Sequence, residues 1–171
     1  MEPSQPPRNI PGRMEAGGIF SGLKIPPILA GVVVDTLATY VAMYAWIVIF
    51  VSRQLSGQGE VTEEAIRNFL ASPEGLQIGM AIGTLCTVLG GYVAGRRAGV
   101  LRIKHGAFVG VGSLVVAALE QAIAGGGVSA PQWYLVVSAV APVPAGALGG
   151  YIAERLGSSG PNRGGSGTSR R

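Results

Sequence analysis

Four apolar runs, Pro26 to Val51, Leu76 to Ala94, Gly106 to Ala124 and Trp133 to Ala153, constrain this chain most. Each comes close to the ~20 residues that an α-helix needs to cross a hydrocarbon core of roughly 30 Å. In such a core every backbone N–H and C=O must be satisfied within the segment, so the runs are expected to be helices. With 171 residues, 48% hydrophobic and only 13% charged, the chain has too few charges for an ordinary soluble domain. The fold class is therefore all-α integral membrane, a four-transmembrane-helix bundle. Its membrane domain covers 25–156, with spans predicted over 26–52, 76–96, 105–125 and 132–155.

The second run is striped. Glycine or threonine recurs every fourth residue at Gly75, Gly79, Gly83, Thr87, Gly91 and Gly95, which leaves one helix face almost bare of side chains and suits close helix contact in lipid. The bend that follows, Arg96 to His105, is about ten residues long, so the second and third helices must be antiparallel neighbours. Gly106 and Gly110 open the third helix with a GxxxG expected to face Gly91 and Gly95. Gly146, Gly149 and Gly150 supply small residues to the fourth helix, where Pro142 and Pro144 remove backbone donors and predict a kink. A phosphate-cradle reading of these glycines fails, because no strand precedes them and no Lys-Ser/Thr follows.

Charge placement orients the bundle. Eleven of the 13 Lys and Arg fall on one side: Arg8, Arg13 and Lys24; Arg96, Arg97, Arg102 and Lys104; Arg155, Arg163, Arg170 and Arg171. Only Arg53 and Arg67 fall on the other, so both termini and the central bend are expected in the cytoplasm, with the protein multi-pass in the cell (inner) membrane. The Pro- and Gly-containing stretch 1–24 reads as a mobile cytoplasmic segment with no cleavable signal, and 157–171 as a disordered cytoplasmic tail. In the outer loop, Thr62 can cap a short amphipathic helix over about 62–71 with Glu63 and Glu64 in its first turn. Ser72-Pro73-Glu74 then signals the start of the second span.

The end of the second helix, LGGYVAGRRAG at 89–99, returns at the end of the fourth as LGGYIAERLG at 148–157. Each copy would hold two spans, an even number, so both insert the same way and the bundle reads as two tandem parallel helical-hairpin repeats. A pattern of Gly90, Gly91, Tyr92, Ala94, Gly95 and Arg96, then His105, Gly106, Ala107 and Gly110, then Gly146, Gly149 and Gly150 runs through 24–156. On these residues the chain resembles a family of small bacterial four-span membrane proteins of unknown function, from which it departs in its longer outer loop and polar ends. The resemblance implies the four-span fold and no activity.

Few residues carry chemistry. Asp35 lies about nine residues, or ~13 Å of helix rise, inside the first span. At that depth it reads either as an ion or proton site or as a protonated or hydrogen-bonded residue paired with Thr36, Thr39, Thr84 or Thr87. Glu120 lies nearer the outer end of the third span, within reach of the interface and of Arg53, and at a depth that sets it apart from Asp35. Arg96, Arg97, Arg102, Lys104 and His105 form a basic edge suited to anionic lipid. A single histidine and the lone Cys86 make no metal site, no nucleophile has a base beside it, and no aromatic interleaving points to nucleic acid. The expected protein is non-enzymatic, with no catalytic residues, metal or cofactor. It is a structural or accessory component that packs through Gly75, Gly79, Gly83, Gly91, Gly95, Gly106, Gly110, Gly146, Gly149 and Gly150. Its expected partners are the lipid bilayer and either copies of itself or another membrane protein. The alternative is a small oligomeric proton- or cation-linked transporter or channel using Asp35.

Overall fold

The computed structural model describes residues 20–56, 62–123 and 130–158. Most of the N-terminal segment 1–24, nearly all of the tail 157–171 and the second outer turn lie outside the described residues. The element order is α1 (Ile25–Ser56), α2 (Glu63–Ala71), α3 (Pro73–Ala98), α4 (Arg102–Ile123), α5 (Gln132–Val140) and α6 (Pro142–Ser158). The described residues contain no strand. Four helical stretches, Ile25–Arg53, Pro73–Ala98, Arg102–Ile123 and Gln132–Gly157, are long and apolar enough to cross a membrane.

The helices are sorted inside out relative to a soluble bundle. On α1 the bulky Leu29, Val33, Leu37, Tyr40, Tyr44 and Val48 are exposed at helical spacing, while Gly31 and Asp35 are buried on the opposite face. Lipid tails solvate large apolar side chains, so the interior goes to residues that let backbones meet. Such residues are Ala94 and Ala98 on α3, Gly106 and Gly110 on α4, and Ala145, Gly149 and Ala153 on α6.

Gly106 and Gly110, expected to face Gly91 and Gly95, turn elsewhere. Helices α3 and α4 touch, and α1 and α6 each pack against both of them. A Cβ on Gly91 or on Gly106 would run into the carbonyl oxygen of Gly146, and one on Gly110 into that of Pro142. Thus α3 and α4 turn their glycines to the groove between them, and α6 lies in it. A helix can sink into such a groove only where both walls lack side chains. Gly149 and Gly150 press in the same way on Val88 of α3 and Arg102 of α4. Gly31 meets Gly90 across α1 and α3, a contact outside the expected set.

The stripe on α3 divides into different uses. Gly75 brings the backbone of Phe69 against the start of α3, so it serves α2 and not a membrane contact. Gly79 would meet only the end of Met43, at 3.9 Å, and Gly83 meets nothing within 4 Å. Both face a cavity and contribute no close packing, unlike Gly91 and Gly95.

Local signals set the ends. The Ser72 hydroxyl accepts from the Gly75 amide at 3.1 Å and donates to the Phe69 carbonyl at 2.6 Å, so one side chain closes α2 and opens α3. Thr62 accepts from the Ala65 amide and caps α2. The Phe69 ring stacks on Phe50 at 4.0 Å, which lays α2 over the end of α1. At the opposite end, Gly99 (φ 73°) terminates α3 in the left-handed conformation that favours glycine, and Leu101 (φ 48°) shares it. The bend is thereby reduced to 99–101, and Arg102 to His105 are already helical.

Candidate functional site

Asp35 is 4% exposed and sits where α1, α3 and α4 meet. The Thr87 hydroxyl of α3 lies 3.2 Å from its Oδ1 and 3.3 Å from its Oδ2, and the Ser113 hydroxyl of α4 bonds Oδ2. Thr87 was among the expected partners; Ser113 was not. Its signal was present all the same, as the one hydroxyl in the middle of the third span. Both hydroxyls have a second acceptor in their own helix, Gly83 O at 2.9 Å and Val109 O at 3.0 Å. A hydroxyl has one proton, so each can turn it either to Asp35 or to its own helix.

From this floor a cavity of about 280 Å³ extends toward the α2 end of the bundle. Thr36, Thr39 and Tyr40 of α1, Gly79, Gly83 and Thr84 of α3, and Glu120 of α4 line it, and among the described residues no Lys or Arg does. Its remaining wall is the junction of α5 and α6, through Tyr134, Ser138, Ala141 and Pro142. The prolines expected to kink the helix stand here, where α5 passes into α6 at Ala141, which keeps helical angles (φ −62°, ψ −35°) and bonds the Val137 carbonyl at 2.8 Å, so the backbone runs on as helix. Pro142 and Pro144 have no N–H to give the carbonyls of Ser138 and Val140, so backbone acceptors are left open beside the cavity. None of the α5 residues is buried.

Glu120 is correspondingly not a partner of Arg53. The Tyr40 hydroxyl donates to its Oε1 at 2.5 Å, and both side chains are exposed at the far end of the cavity from Asp35. From Asp35 to Tyr40 the helix rises ~7.5 Å, and from Ser113 to Glu120 ~10.5 Å. The two carboxylates do stand at different depths, as expected, but they line one cavity, which sequence depth alone set against them.

The basic end is divided. Arg96, Arg97 and Lys104 are exposed and free to face a membrane surface. Arg102 turns inward, donating to the Ala153 carbonyl at 2.6 Å, with its guanidinium filling the place a side chain at Gly157 would need. His105 does not contact lipid: it is 0% exposed. Its Nε2 accepts the Lys24 backbone N–H at 2.9 Å, and its Nδ1 lies 3.0 Å from the Leu101 carbonyl. A carbonyl only accepts, so the single proton is on Nδ1 and the ring is neutral. The Lys24 ammonium reaches the Ala98 carbonyl at 3.3 Å, which fastens the start of α1 to the end of α3. In both copies of the LGGY sequence, tyrosine pairs with arginine one turn on: Tyr92 with Arg96 and Tyr151 with Arg155, each at 2.8 Å.

No family model, curated protein or solved structure matches the chain.

Proposed function

We propose that this is a non-enzymatic multi-pass membrane protein that binds a proton or a cation at Asp35 and passes it between the bilayer's two faces. One observation carries the reading above a purely structural role. A carboxylate buried on three helices opens onto a hydroxyl-lined cavity, whereas an aspartate used for packing alone would be closed over by side chains. The hydroxyls of Thr87 and Ser113 suit a group that changes charge. An ionised Asp35 accepts from both. A protonated Asp35 donates to Ser113, whose own proton turns to Val109. Both states are satisfied with the heavy atoms in place.

The glycine contacts close the bundle at its basic end, and the hydrogen bonds missing at Pro142 and Pro144 leave α6 free to flex against α5 to open it. By the positive-inside rule that end is cytoplasmic in the cell (inner) membrane, with the cavity open to the outside. The two LGGY segments and their matching Tyr–Arg pairs support a tandem origin for the two hairpins. A second reading, an accessory component assembled with copies of itself or with another membrane protein, is favoured by α5, which has no buried residue beside the open cavity. Native mass spectrometry of the protein from its own membrane tests it by showing a stoichiometric partner.

The test of the main reading is proton flux into proteoliposomes containing a pH-sensitive dye. Asp35→Asn retains the hydrogen-bonding shape and removes the exchangeable charge. Flux is expected in the wild type and lost in Asp35→Asn, with equal helicity and elution volume. Equal flux in the two proteins, or none in the wild type for protons, radiolabelled sodium and radiolabelled butylammonium alike under an imposed potential, overturns the proposal.

A further inference from the structure

The cavity is shaped for more than a bare ion. Resting on the assignment of Asp35 as a proton or cation site, we infer that the ligand is a small primary alkylammonium, bound by its head at Asp35, Thr87 and Ser113.

Charge sets the valence. The floor holds one carboxylate; Glu120, the other in the cavity, stands at the far end against Tyr40, and among the described residues no Lys or Arg lines the walls, so a monovalent cation neutralises the floor. Size separates an organic cation from a metal ion. About 280 Å³, several times the ~30 Å³ share of one water, reaches from Asp35 to Glu120 and leaves space above the floor that a bare ion would not fill. The volume is just below the ~300 Å³ at which pockets for larger organic ligands begin, which fits a short molecule.

Hydrogen bonding sets the head group. A primary ammonium has three N–H donors and no acceptor, and the floor offers three oxygen groups on three helices. An ammonium that comes between the hydroxyls and Asp35 replaces their bonds to the carboxylate; Thr87 and Ser113 then turn their protons to Gly83 O and Val109 O, at 2.9 and 3.0 Å, and offer it their lone pairs. The walls above the floor suit a short alkyl tail, with Met80, Leu114, Val116 and Ala117 along them. At the far end the Tyr40 ring and the Glu120 carboxylate give an entering cation an attractive first contact.

The test is equilibrium dialysis of the full chain in mild detergent against radiolabelled butylammonium, with radiolabelled sodium and tetramethylammonium in parallel. Saturable butylammonium binding is expected at one per chain, lost in Asp35→Asn. Thr87→Val and Ser113→Ala, which keep the packing volume, are each expected to weaken it about tenfold or more, the loss of one hydrogen bond to a charged group. Tetramethylammonium, which has no N–H donor, binds at least tenfold more weakly. Equal binding of tetramethylammonium overturns the hydrogen-bonded head group. Binding of sodium in place of butylammonium, or of neither while proton flux still depends on Asp35, overturns the alkylammonium and leaves the Asp35 reading standing. No binding together with flux indifferent to Asp35→Asn removes both.

Discussion

Gly91 and Gly83 occupy equivalent places in the α3 stripe, yet alanine at the two positions should act in opposite directions. At Gly91 the new Cβ would fall about an ångström inside ordinary van der Waals contact with the Gly146 carbonyl oxygen, with the Gly146 Cα and carbonyl carbon close behind. The obstacle is backbone, which cannot rotate away as a side chain tip can, so α3 and α6 must part. A radial gap of that size forfeits up to about half of the dispersion attraction across the contact, and overpacking of this kind costs about 3 kcal/mol. At Gly83 the Cβ would meet nothing within 4 Å, so only the helical preference of alanine remains, up to about 1 kcal/mol in favour. The pair should therefore differ by about 3–4 kcal/mol, a few hundredfold in the folding equilibrium. Reversible denaturant titration of the two variants in mixed micelles, followed by circular dichroism, measures this. Equal destabilisation by the two alanines, or a neutral Gly91→Ala, would refute the assignment of Gly91 to the α6 groove and of Gly83 to the cavity.

Two further substitutions probe the ends of the bundle. Ser72→Ala removes the acceptor for the Gly75 amide and the donor to Phe69, and should lower stability by about 1 kcal/mol with faster hydrogen exchange at Gly75; unchanged exchange there would contradict the cap. His105→Phe retains bulk but leaves the Lys24 amide without its acceptor, so a loss of about 2 kcal/mol and faster exchange at Lys24 are expected. If Lys24 stays protected, the histidine does not hold the start of α1.

The number of long apolar helices and the helical caps at Thr62 and Ser72 were determined by the sequence itself, because each depends on chain-local physics. Span length answers to the thickness of the bilayer, and a cap to a hydroxyl three residues from an amide. The depth of Asp35 was equally legible, since helix rise is fixed. Tertiary structure decided the rest. A glycine every fourth residue marks a bare face but not what lies against it, so Gly91 and Gly83 look alike in sequence and differ only once α6 is in its groove. Nothing in the order of residues joins Asp35 to Ser113 or Tyr40 to Glu120, which are 78 and 80 positions apart. His105 reads as a surface histidine among basic neighbours and is buried because α1 begins on top of it. Contacts within a helix follow from spacing, whereas contacts between helices depend on which faces meet, and that is settled only when all four spans are packed.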